Sequence, residues 1–125
     1  MLTLRYRPLW ILASIVLVLV VIWGSLQTRY GLNVPHGFDK VEHVSTYMFL
    51  AVWFTGLIQR PRYWIAMLCL LGLGATMEFA QWAMHAGRTA DPYDMAANCC
   101  GVLAGLMFAR LGTGGWAQRV EAWMP

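Results

Sequence analysis

Lys40, His43 and Tyr47 follow one another at intervals of three and four residues, which sets them on one face of a helix. Glu78 and Gln81 stand three apart in a second segment, with Trp82 beside them and His85 one turn further on. In a third segment Asp94, Asn98, Gly101 and Gly105 recur at i, i+4, i+7 and i+11, and Arg88 lies just upstream. These side chains hold ions, move protons or hydrogen-bond polar groups, and they stand inside or at the rims of long apolar runs. A charge near the centre of a bilayer costs at least about 2.5–3.5 kcal/mol on insertion scales, so an ionisable residue there is a functional candidate. For Glu78 the expected partners are Lys40, His43 or Arg88. The structural alternatives are a buried ion pair at Glu78 and inter-helix hydrogen bonds at His43 and Asn98.

The elements that carry these residues follow from composition. Of 125 residues, 59% are hydrophobic and only 12% charged, against about 25% charged in a soluble domain. Nine basic and six acidic side chains cannot cover a water-facing surface of this size. Lipid is the alternative solvent, and each helical crossing needs about 20 mostly apolar residues. Four such runs are present, over about 9–26, 40–58, 63–84 and 92–111. The expectation is an all-α membrane protein: one four-transmembrane-helix bundle spanning the whole chain. Its first run lacks a small-x-small cleavage site and reads as an uncleaved anchor rather than a signal peptide. Glu78 then lies about 22 Å from the Tyr63 end of a core about 30 Å thick. That is the level at which the second and fourth runs begin, so the polar residues of three helices share the outer third of the bilayer.

Orientation is encoded in the basic residues. Arg5, Arg7, Arg60, Arg62, Arg110 and Arg119 fall on one side of the four runs, and Arg29, Lys40 and Arg88 on the other. The excess of six over three places both termini in the cytoplasm, in a multi-pass membrane protein. Charge spent in this way leaves no basic patch for nucleic acid. Asp39 with Glu42 reads as the cap of the second helix, and Asp91 followed by Pro92 as the cap of the fourth. The tail, 112–125, holds Trp116, Trp123, Arg119 and Glu121, and is either a short interfacial helix or a frayed end anchored by tryptophan. Gly101-x-x-x-Gly105 reads as a close-packing surface, for another helix or for a second copy in a homo-oligomer. Cys69, Cys99 and Cys100 have no metal-type spacing, and no Gly-rich phosphate loop is present. Neither a cofactor nor a metal is expected.

The ordered set Asp39-Lys40-x-x-His43-x-x-x-Tyr47, Glu78-x-x-Gln81 and Arg88-x5-Asp94-x-x-x-Asn98-x-x-Gly101 resembles the VanZ-like family of small bacterial membrane proteins. The resemblance spans residues 39–111. It implies a multi-helix membrane protein in which Lys40, His43, Tyr47, Glu78, Gln81, Arg88, Asp94 and Asn98 form a shared polar cluster. The family's founding member is associated with low-level resistance to the glycopeptide teicoplanin, without altered peptidoglycan precursors.

Three functions fit these residues. In the first, the cluster binds a lipid headgroup, a carrier-lipid phosphate or a lipoglycopeptide, in a role in teicoplanin resistance or envelope homeostasis. Lys40 and Arg88 would hold an anionic group, oriented by Glu78 and Asp94, with Asn98, Gln81 and Tyr47 as hydrogen-bonding groups. The partners are then membrane lipids or a lipid-linked envelope precursor. In the second, an intramembrane enzyme uses His43 as a general base oriented by Glu78, although no clear nucleophile accompanies it. In the third, a proton-coupled small transporter uses Glu78 as its carrier.

Overall fold

The computed structural model describes residues 1–27, 37–84 and 91–124, and all regular structure among them is helical. Helix α1 covers Arg7–Leu26, α2 Phe38–Leu57, α3 Tyr63–Ala83 and α4 Pro92–Phe108, and a short α5 covers Trp116–Glu121. A 3-10 turn, Arg60–Arg62, opens α3, and a π-helical turn, Ala109–Thr113, leads from α4 towards α5. Three helical stretches are long and apolar enough to cross a membrane: Arg7–Leu26, Arg60–Ala83 and Pro92–Thr113. Helix α2 is as long as α1 but opens with Asp39, Lys40 and Glu42. The multi-pass expectation therefore stands for three helices on length and hydropathy, and α2 is the exception.

Burial explains the difference. Helix α2 lies against α4 over most of its length and buries Tyr47, Leu50, Ala51, Thr55, Gly56 and Leu57. Helix α1 buries only Trp10 and exposes Leu9, Leu12, Ile15, Leu19 and Trp23, an apolar surface all round of the kind that lipid accepts. Where α2 meets α4, Gly101 and Gly105 remove the side chains that would hold the backbones apart. A Cβ on Gly101 would stand 2.4 Å from the Val44 carbonyl oxygen, and one on Gly105 2.7 Å from that of Met48. The glycine stripe thus packs α4 against α2 within one chain.

The opposite end of the bundle is closed by aromatic rings. Trp116 lies 5.3 Å from Trp10 and 5.2 Å from Trp53, centroid to centroid. It crosses α2 at Gly56, where a Cβ would fall 1.9 Å from the indole nitrogen. All three indole N–H groups are used: Trp10 donates to Glu121, Trp53 to the Ser14 hydroxyl and Trp116 to the Val52 carbonyl. Glu121 also accepts from the backbone N–H of Arg5 at 2.7 Å and of Tyr6 at 2.9 Å. Partial burial works to raise the Glu121 pKa, but these hydrogen bonds, with Arg5 nearby, win and hold its carboxyl below the usual value. Of the two readings of the tail, the structure has the helix, docked across the first residues of the chain.

Two boundaries differ from expectation. Gly37, with φ of 90°, is the residue that caps α2, and no side chain caps it. Asp39 sits inside the first turn instead. Helix α4 ends at Phe108, because Gly112, with φ of 152°, breaks the run that follows. The cap at Asp91 is as expected, its side chain accepting from the Tyr93 N–H at 2.9 Å. Arg29, His36, His85 and Arg88 lie outside the described residues.

Candidate functional site

The first turns of α2 and α4 and the last turns of α3 come together at the end of the bundle away from the termini. Lys40, two residues into α2, places its ammonium on the carboxylates of Asp91 and Asp94, with Asp39 at 3.4 Å. Asp91 serves three partners at once. One carboxylate oxygen caps α4, the other meets Lys40, and its backbone N–H donates to Glu78 Oε1 at 2.6 Å. The Lys40 ammonium, and next the Tyr93 N–H, hold the Asp91 carboxyl below the ordinary carboxylate range.

One turn deeper, His43 and Asn98 face each other, with Nδ1 2.9 Å from Asn98 Oδ1. An amide oxygen only accepts, so Nδ1 carries a ring proton and donates it to Asn98. Nε2 lies 3.9 Å from Asp94 Oδ2. Below this pair Tyr47 is 3% exposed and Asn98 2% exposed. Gly74 of α3 makes the room: a Cβ there would lie 2.9 Å from Asn98 Nδ2 and 3.3 Å from the Tyr47 hydroxyl. Among the described residues, neither the Tyr47 hydroxyl nor Glu78 Oε2, both buried, has a hydrogen-bond partner.

The structure therefore joins Lys40, His43, Asp94 and Asn98 directly, and brings Tyr47 and Glu78 beside them. Gln81 departs from the expected set. It turns towards α1 and donates to the Ser25 carbonyl at 2.7 Å. Glu78 also departs, because its described partner is the Asp91 backbone rather than Lys40 or His43. A lysine ammonium has three protons to place, and at Lys40 carboxylates of α2 and α4 take them. Residues the sequence reading left out of the site are Asp39, Asp91 and Gly74. Asp91 was visible only as a cap, yet a carboxylate has acceptor capacity for a cap and an ion pair together. Gly74 carries no pattern of its own.

Between α1, α2 and α3 a narrow cleft opens, lined by Ser25, Asp39, His43, Tyr47 and Gln81 among others, with a free volume of about 30 Å³. That is room for about one water molecule. The Gln81–Ser25 bond spans its α1 side. With three carboxylates around one ammonium, the cluster as described accepts hydrogen bonds and holds positive charge; Lys40 is already engaged and is not poised to grip an anion.

No protein-family model, no curated protein and no solved structure matches the chain.

Proposed function

We propose that the chain is a VanZ-like, four-crossing protein of the bacterial inner membrane that binds the polar headgroup of a membrane amphiphile at this cluster. The lipid, lipid-linked precursor or lipoglycopeptide would present its polar end to the cleft and its chains to the apolar flanks of α1 and α3. One observation carries the reading: polar groups from three helices converge beside a cleft, where the buried Tyr47 hydroxyl and Glu78 Oε2 have no partner among the described residues. Engagement of Lys40 by carboxylates favours a headgroup that brings hydroxyls or an ammonium over a bare phosphate. Access would come from α1, the least buried of the long helices, by release of Ser25 from Gln81.

Four crossings are supported by the contact of Glu121 with Arg5 and Tyr6. An odd number of crossings would put those residues on opposite faces of the membrane. The six arginines near that end favour the cytoplasmic side.

Native mass spectrometry of the full chain with phosphatidylethanolamine, phosphatidylglycerol and teicoplanin tests the reading. Stoichiometric adducts of one of them are expected with the wild type and a marked loss with Glu78→Gln plus Tyr47→Phe. Equal adducts in both proteins sink it. Proton-coupled transport is favoured separately by Glu78 Oε2, which has no partner among the described residues. Substrate flux driven by a pH gradient in liposomes, abolished by Glu78→Gln, would replace binding with transport.

A further inference from the structure

The geometry points to a divalent transition-metal site formed by Asp39, His43 and Asp94 beside the cleft. Asp39 and His43 stand four apart on one face of α2, and Asp94 faces them from the first turn of α4. One ligand atom from each lies within 4.8 Å of the others.

The orientation of His43 is what separates this cluster from a chance gathering of acids. A metal-binding histidine characteristically donates its second ring N–H to an outer acceptor, which fixes the tautomer and strengthens the ligating nitrogen. Here Nδ1 donates to Asn98 Oδ1, itself on a residue 2% exposed, and Nε2 is turned to the Asp94 carboxylate. A second observation comes from Tyr47. This side chain is 3% exposed, lines the same cleft as Asp39 and His43, and has a hydroxyl without a partner among the described residues. A water or ligand on the metal would supply one.

Imidazole nitrogen with two carboxylate oxygens suits Zn²⁺ or Mn²⁺, whereas Mg²⁺ and Ca²⁺ call for oxygen ligands alone. Three protein ligands leave one tetrahedral position for water or a bound group. Lys40 touches both carboxylates of the site, so its ammonium competes with the metal for the same oxygens. This competition has a distinctive consequence: removing Lys40 strengthens metal binding.

The test is calorimetric titration of the full chain with Zn²⁺ in detergent, with no lipid added. One equivalent of Zn²⁺ is expected to bind, with excess Mg²⁺ failing to displace it. His43→Ala should weaken binding at least about tenfold, and Asn98→Leu by about 10–100-fold through the lost outer acceptor. Asn98→Asp, which keeps an acceptor, should retain affinity, and Lys40→Met should raise it. Far-UV circular dichroism and gel filtration establish that each variant is folded. Absence of stoichiometric uptake by the wild type, or uptake that folded His43→Ala leaves unchanged, overturns the site. The inference does not rest on headgroup binding, and a lipid-free titration fails or succeeds independently of it.

Discussion

Tyr47 carries a hydroxyl into a space where, among the described residues, it finds no acceptor or donor, and leaving such a group unpaired costs about 1–3 kcal/mol. Its ring is needed there for a different reason, since it packs where α4 comes closest: a Cβ on Gly101 would lie 3.1 Å from the Tyr47 Cβ. Tyr47→Phe keeps the ring and removes the orphan oxygen. Its thermal unfolding in detergent is therefore expected to match the wild type or exceed it by about 1 kcal/mol, while headgroup adducts weaken. Lower stability would mean that the hydroxyl has a structural partner, and unchanged adducts would deny it a part in binding. His43 and Asn98 differ from Tyr47 in that His43 Nδ1 and Asn98 Oδ1 answer each other.

Helices α2 and α4 form the unit on which the cluster depends, because their first two turns, with the Asp91 cap, supply Lys40, His43, Asp91, Asp94 and Asn98. Their separation is set by glycine. Gly101→Ala forces a methyl against the Val44 carbonyl and should destabilise the fold by at least about 1–3 kcal/mol. Gly72→Ala, on an open face of α3 with nothing within 4 Å, should be neutral or mildly stabilising. Equal effects on the unfolding midpoint would refute this account of the α2–α4 contact. The intervals Lys40–His43–Tyr47 and Asp94–Asn98–Gly101–Gly105 already placed these residues on two faces, and those faces do meet. Periodicity carries that information because side-chain direction repeats with the helix turn. It carries none about who answers whom across the contact. Charge alone suggested Lys40, His43 or Arg88 for Glu78, yet the described bond comes from the backbone N–H of Asp91, a group that every non-proline residue has. The Trp10–Trp53–Trp116 knot was hidden for a related reason. Its members lie on three elements far apart in sequence, and Gly56, which admits the third ring, looks like any helix glycine.

At the scale of the whole chain, the apolar exterior of α1 and the closed aromatic end divide the protein into an apolar-surfaced body and two ends with different tasks. The end with the termini is mechanical. Glu121 ties α5 to the start of α1 by bonds from Arg5, Tyr6 and Trp10, so the last residues hold the first in place. All three donors favour the carboxylate over the acid, and its pKa lies below the ordinary 4.5. A carboxyl depressed on folding contributes stability that is fully present above its unfolded pKa and is lost as pH falls through the folded one. Glu121→Gln removes the charge at every pH. The wild type should therefore be more stable than Glu121→Gln at about pH 6, and the gap in unfolding temperature should close on approach to about pH 3. Asp91, also depressed, titrates in both proteins and cancels from the comparison. A gap that stayed constant with pH would mean that the clamp does not depend on the charge of Glu121 and holds through packing around Trp116 alone.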